Sequence, residues 1–222
     1  MTLPCDLLVL AAFPPELAPL HPALGTELRR QFGGHDVAAE AVGIGLPTAA
    51  AGAAMKLIAL RPRGVVLVGT CGAFEGAFSL GAVAIARRVL LAEPAVARGE
   101  AAYPDPMSTE LVADAALAAG LARAGAGAVA DVATTLAVTT DDGLAAKLAA
   151  FTMCQVEHLE AYGVAAACAA QGVPFAAVLG VANAVGSRGR AEWRMNHRAA
   201  SAAAIDALVG WIGAGAPGLA AR

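Results

Sequence analysis

Residues 161–187 contain no charged side chain. A helix rising about 1.5 Å per residue could cross a bilayer with such a run, so its reading decides the class of the whole chain. Its middle reads Gln171-Gly172-Val173-Pro174, which stops a helix and starts an extended segment. The run is therefore read as a helix of small residues over 159–171 followed by a strand buried on both faces over 175–182, and no membrane partner is expected.

The same grammar repeats along the chain. Short apolar runs at 6–12, 37–42, 64–70, 82–90, 132–139, 153–156 and 175–182 read as strands. Ala/Leu-rich stretches at 47–60, 107–124, 142–151, 159–171 and 191–212 read as helices. Strands alternating with helices imply an α/β sheet covered on both faces. The 222 residues suit one domain, expected over 1–213, with 214–222 as a frayed tail. The Pro/Ala-rich stretch 92–106 lacks periodicity and reads as a mobile loop.

Composition narrows the function classes. Fifteen Lys and Arg against 18 Asp and Glu, with 58% hydrophobic residues, exclude a disordered or polybasic chain, and no nucleic-acid partner is expected. The 60 alanines carry no functional weight. Cys5, Cys71, Cys154 and Cys168 form no CxxC pair, and only His158 stands at ligand spacing, four residues after Cys154. Two potential ligands make no metal site, so no metal or other cofactor is expected and the thiols read as reduced and buried. The start, MTLPCDLLVLAAFPPE, has no basic segment before its apolar run and so does not read as a secretory signal. Both observations lead us to expect a cytoplasmic protein.

The usual anchors of several enzyme classes are missing. Gly43-Ile44-Gly45 continues as Leu46-Pro47-Thr48 and fails the dinucleotide pattern, and neither a phosphate-loop motif nor a GxSxG elbow occurs. Gly-rich strand ends and a few acids at element boundaries remain, in the positions that line the ligand crevice of an α/β sheet. Glu16 follows the first strand across Phe13-Pro14-Pro15; alone it would be an acid at a helix N-terminus. Gly69-Thr70-Cys71-Gly72-Ala73 ends a strand in small residues, allowing main-chain N–H groups close to a ligand, or simply making a turn. Val156-Glu157-His158-Leu159-Glu160 opens a small-residue helix with two acids, one of which can be a cap. Gly180-Val181-Ala182-Asn183 closes a buried strand with an amide, which by itself can cap a turn.

Taken in order, these segments resemble the nucleoside phosphorylase/nucleosidase superfamily, which includes methylthioadenosine/S-adenosylhomocysteine nucleosidases and futalosine hydrolases. The likeness spans about residues 6–212 and rests on six matches: Ala11-Ala12-Phe13-Pro14-Pro15-Glu16, Val42-Gly43-Ile44-Gly45, Val68-Gly69-Thr70-Cys71-Gly72, Val156-Glu157-His158-Leu159-Glu160-Ala161, Val173-Pro174-Phe175 and Val181-Ala182-Asn183-Ala184-Val185. Residues 183–193 look most like the futalosine hydrolase version. The resemblance implies a single-domain, three-layer αβα fold with a central mixed, twisted sheet, and a homodimer or higher homo-oligomer.

It also implies roles. Glu160, preceded by Leu159, corresponds to the acid that grips the ribose hydroxyls. Glu16 corresponds to the acid that activates the attacking water, and Asn183 to the base-recognition position, where adenine-specific nucleosidases carry Asp. An amide has no proton to give up, but its NH2 can donate to purine N7 and to a 6-oxo oxygen, so a hypoxanthine-type base is favoured over adenine. A carboxylate beside the sugar would stabilise the positive charge of an oxocarbenium-like transition state. Gly45, Thr70, Cys71 and Gly72 are expected to contact the small-molecule nucleoside. Phosphorylases that resemble this chain place an Arg directly before the Val-Gly-[Ser/Thr]-Cys-Gly run, where Leu67 stands here, so water is the expected nucleophile; Arg29, Arg30 or Arg87 could still supply a phosphate site. Arg190, Arg194 and Arg198 share one face of the last helix, a solvated face by default. More sharply, Arg188 or Arg190 could meet a substrate carboxylate, and Trp193 could stack on an aromatic substituent or anchor the core. The loop Thr139-Thr140-Asp141-Asp142-Gly143 offers no aromatic residue to cover a base.

Overall fold

The computed structural model describes residues 3–220. Nine strands form one sheet: β1 (Leu7–Ala11), β2 (Arg29–Phe32), β3 (His35–Ala41), β4 (Gly64–Ala73), β5 (Val83–Leu91), β6 (Glu110–Val112), β7 (Ala128–Thr134), β8 (Val156–His158) and β9 (Phe175–Ala184). The helices are α1 (Pro14–Leu17), α2 (His21–Leu24), α3 (Leu46–Leu60), α4 (Pro94–Ala97), α5 (Ala115–Arg123), α6 (Asp142–Thr152), α7 (Ala161–Ala170) and α8 (Gly189–Gly213), with a 3₁₀ turn at Ala18–Leu20.

The sheet is mixed, as expected. β1 runs parallel to β3 and β4, β9 runs parallel to β4 and antiparallel to β5, and β8 is antiparallel to β4 but parallel to β7. With β5 parallel to β7, the pairings β4–β9–β5–β7–β8–β4 close on themselves. One end of this ring gathers the carboxyl end of β4, the end of β9, all of β8 and the loop after β7.

Alternation along the strands divides the core into two layers. Leu8, Leu10, Val65 and Leu67 face α3 and α7, through Ala53, Leu57, Val164 and Cys168. Their neighbours Leu7, Val9, Val66 and Val68 face the opposite layer, built from Leu17, Leu20, Leu121, Ile205, Leu208 and Trp211. Because successive side chains point to opposite faces, a strand covered on both sides is apolar along its covered length, as β1 and the Val65–Val68 run of β4 are. α7 and β9 account for the charge-free run, and no helix among the described residues is long and apolar enough to cross a membrane.

Several boundaries differ from the sequence reading. The expected helix over 107–124 splits into β6, which pairs antiparallel with β5, and α5, whose first turn is capped by the Asp114 carboxylate accepting from Ala116 and Leu117 N–H. β2 escaped notice because Arg29-Arg30-Gln31-Phe32 is a polar edge strand held by its pairing with β3. The expected strand over 132–139 is displaced: β7 ends at Thr134, and the β-branched residues that follow form a loop. In the stretch 92–106, α4 is capped by the Glu93 carboxylate, and the Tyr103 hydroxyl donates to Leu91 O. The segment after Gly213 does not fray at its start: Ala216 is buried and Pro217 O accepts the indole N–H of Trp211 at 3.1 Å. Residues 221 and 222 of that expected tail lie outside the described residues.

Candidate active site

At the gathering end of the ring lies a cavity of about 360 Å³, lined by residues from seven chain segments, within the size range of small-molecule sites. It brings together Glu16, Thr70, Cys71, Gly72, Leu159, Glu160, Asn183, Arg190 and Trp193. Gly45 acts from the rim, its N–H donating to Glu160 Oε1 at 2.7 Å.

Glu16 reaches the cavity because Pro14 and Pro15 start a helix immediately after β1. Its side chain turns back toward the strands instead of capping α1. Oε2 accepts from Ala12 N–H at 3.2 Å, and Oε1 accepts from Thr70 N–H at 3.2 Å and from the Thr70 hydroxyl at 3.4 Å. Gly69 makes room for it, since a Cβ there would stand 3.0 Å from Glu16 Oε1. Burial, and next the negative charge of Glu160, push the Glu16 carboxyl up to about 7, against the pull of its N–H donors. A carboxylate poised near neutrality can take a proton from water at physiological pH.

Glu160 stands at the start of α7 but does not cap it. That work falls to His158, whose Nδ1 accepts from both Glu160 N–H and Ala161 N–H at 3.1 Å. Glu160 Oε2 lies 3.3 Å from the same Nδ1. Burial lowers the imidazole pKa, with the Glu160 charge opposing, and two N–H donors already point at that nitrogen. His158 is thus a neutral ring beside a carboxylate, not half of an ion pair, and is not held for a metal with Cys154. The imidazole cap leaves the Glu160 carboxylate free to face the cavity.

Asn183 is wedged between two glycines: a Cβ on Gly72 would lie 2.8 Å from its Nδ2, and one on Gly189 3.1 Å. Nδ2 donates to Ala184 O at 2.8 Å. One amide proton is therefore committed internally, leaving one donor and the carbonyl for a ligand, where the sequence reading assumed two donors.

Arg188 is not in this cavity. It lies three-quarters exposed, 3.5 Å from Glu192, on a larger hollow of about 770 Å³ beyond Asn183. Two of the three acids there are engaged: Asp142 accepts from Ser187, and Glu192 from Ala184 N–H. The chemistry-bearing residues converge in the smaller cavity. Arg29 is held by Asp36 and Arg87 by Asp131, and neither they nor Arg30 line the cavity; Arg194 and Arg198 are exposed.

Sequence reasoning missed Phe13, Ile44, Val138, Thr139, Thr140 and Glu157 as lining residues. Glu157 is buried, and its carboxylate accepts from the Thr135 and Thr139 hydroxyls and Thr139 N–H, pinning the loop after β7. Burial raises its pKa, with Thr139 pulling the other way. The missed signal was the pair of threonines at fixed offset from that loop. Phe13 supplies an aromatic wall where the 139–143 loop has none.

A family model described as "Phosphorylase superfamily" matches residues 6–210. Among solved structures, the 5′-methylthioadenosine/S-adenosylhomocysteine nucleosidase of Neisseria meningitidis, in complex with methylthio-immucillin-A, superposes with a TM-score of 0.82 at 17% identity, covering 94% of this chain and 98% of that one. The S-adenosylhomocysteine nucleosidase of Streptococcus pyogenes gives 0.84 at 17% identity over 95% and 97% of the two chains. The futalosine hydrolase of Helicobacter pylori gives 0.82 at 12% identity over 93% and 97%. No curated protein sequence matches significantly.

Proposed function

The chain belongs to the phosphorylase superfamily, and we propose that it is a cofactor-free nucleosidase that hydrolyses the N-glycosidic bond of a purine nucleoside with a 6-oxo base, such as futalosine. The observation that carries this reading is a buried carboxylate without a cationic partner, Glu16, across one cavity from a second carboxylate, Glu160. Glu160 would hold the ribose hydroxyls and stabilise positive charge developing on the sugar. As the C1′–N9 bond breaks, its electron pair leaves with the base, which takes up a proton from solvent. The water oxygen forms the new C1′–O bond and gives its proton to Glu16.

Water is favoured over phosphate because Arg190 is the one cationic side chain that lines the cavity among the described residues. The free amide proton of Asn183 suits an acceptor on the base, N7 or a 6-oxo oxygen, and Arg190 suits a carboxylate on the substituent. A homodimer in the cytoplasm completes the proposal. Its support is the solvent face of α3, where Ala51, Met55 and Ile58 continue from exposed Ile44 at the cavity mouth. Met55→Glu should then halve the mass measured by sedimentation, whereas a monomeric wild type would remove the dimer.

The test is base release from futalosine, inosine and methylthioadenosine, each with and without phosphate. Phosphate-independent hypoxanthine release is expected. Adenine release would overturn the base assignment, a strict phosphate requirement would establish the phosphorylase alternative, and tight nucleoside binding without release would identify a binding protein.

A further inference from the structure

The indole of Trp193 lines the cavity, and its only polar atom is bonded within the protein. Nε1–H donates to Thr70 Oγ1 at 3.1 Å, and Thr70 in turn donates to Glu16 Oε1 at 3.4 Å. An indole N–H is a donor only, and a hydroxyl owns a single proton. With Trp193 occupying an acceptor lobe of Thr70 Oγ1, the hydroxyl proton is left for the carboxylate. The indole is firmly held. Its ring stacks on His197 at 4.4 Å between centroids. On either side of it, Glu192 accepts from Ala184 N–H and Asn196 donates to Ala182 O, fastening α8 to the end of β9.

We propose that Trp193 is a positioning residue for Glu16, acting through Thr70: it fixes the direction of a relay, indole N–H to hydroxyl to carboxylate, that favours the ionised form of the acid. Chains of hydrogen bonds polarise one another, so the outer donor strengthens the inner one. The relay adds a side-chain donor to the main-chain N–H groups on Glu16 and opposes burial and the charge of Glu160. Besides Glu160, the titratable and charged groups that line the cavity or touch the indole are Glu157 and His158 of β8, Cys71 of β4, and Arg190 and His197 of α8; β3, packed on α1, carries His35, Asp36 and Glu40, and α8 also carries Glu192, Arg194, Arg198 and Asp206. Glu16's use as a base rests on the proposed hydrolysis; the relay itself does not.

Two measurements on the full-length protein separate these dependencies. The first needs no substrate: the Trp193 indole ¹⁵N–¹H resonance, identified by its loss in Trp193→Phe, is followed against pH. It should titrate near neutrality, lose that transition in Glu16→Gln, and keep it in His197→Asn. A resonance whose movement survives Glu16→Gln would assign it to the stacked His197 and overturn the relay. The second is the pH profile of base release. Trp193→Phe should move the acid limb of kcat/KM upward by about half a pH unit, a loss of roughly threefold below pH 6.5 with the plateau at high pH retained. In a Thr70→Val background the same change should move the limb no further. A purely packing role would lower the whole profile without shifting it, and a further shift in the Thr70→Val background would exclude the route through Thr70. An inactive protein whose indole still titrates with Glu16 would sink the nucleosidase reading and leave the relay standing.

Discussion

Two buried carboxylates in this molecule are treated in opposite ways. Asp131, 1% exposed on β7, receives a bidentate Arg87 at 2.6 and 2.9 Å and Arg88 at 2.7 Å. Burial alone would raise its carboxyl, but the two guanidinium groups outweigh that and hold it at about 2. Glu16, 6% exposed, meets no cation; its partners are main-chain N–H groups, a hydroxyl and, across the cavity, another acid. Its pKa goes the other way, to about 7. Both side chains are hidden from solvent, yet one is a permanently charged tie and the other holds an exchangeable proton: Asp131 has two guanidinium partners, whereas Glu16 has none and faces a second acid.

Breaking each arrangement should show the difference. Glu16→Gln should lower kcat/KM for base release by about a thousandfold at pH 8 while nucleoside binding, followed by calorimetry, persists; activity within tenfold of wild type would remove Glu16 as the base. Asp131→Asn should leave turnover of the folded enzyme unchanged and cost about 2 kcal/mol in urea unfolding at pH 7, because it strands two partly exposed guanidinium groups. A stable but inactive Asp131→Asn protein would reverse the assignment.

The pH dependence of stability should carry opposite signs. Glu16 has a folded pKa above its ordinary 4.5, so its contribution is fully present below about 4.5 and is lost as pH rises through about 7. Glu16→Gln should therefore stabilise the protein by about 1–2 kcal/mol at pH 8.5 and hardly at pH 4, the gain being limited because an amide NH2 would face Ala12 N–H. Asp131 is depressed from 3.8, so its contribution is present above about 4 and lost toward pH 2. Thermal melts of wild type, Glu16→Gln and Asp131→Asn across pH measure both; parallel curves would mean that the two acids are not opposites. The smallest effect is expected from Gly69→Ala, whose Cβ would press on Glu16 Oε1 from 3.0 Å. It should cost roughly tenfold in kcat/KM with a nearly unchanged melting temperature.

The core and the order of elements were legible because burial imposes a period on apolar residues. β1, the apolar stretches of β4 and β9 that precede Thr70 and Asn183, and the small-residue α7 could hardly be read otherwise. The edges were not: β2 is polar, β6 is three residues long, and their identity comes from the strands they pair with. The first part of the loop after β7 reads as strand because Val138 and Thr139 have β-forming side chains; the fold instead ties Thr139 as a wall, its N–H and hydroxyl donating to Glu157 from another strand and its carbonyl accepting from Gly186 N–H.

At the site, sequence order picked out Glu16, Glu160 and Asn183 as acids and an amide at element ends, and the fold brings them to one cavity. It grouped Arg188 with Arg190, which α8 separates onto two hollows. It saw in His158 a possible ligand or nothing, where the fold uses the ring as a helix cap so that Glu160 need not serve as one. The sequence alone determined the layers, since hydrophobic period is a local property that survives any arrangement of neighbours. Which carboxylate is neutralised, which is left hungry for a proton, and which indole stands behind it were decided by tertiary structure alone. Charge and hydrogen-bond energies depend on distances between groups that the chain brings together from 54 residues apart, as Glu16 and Thr70, or 123, as Thr70 and Trp193.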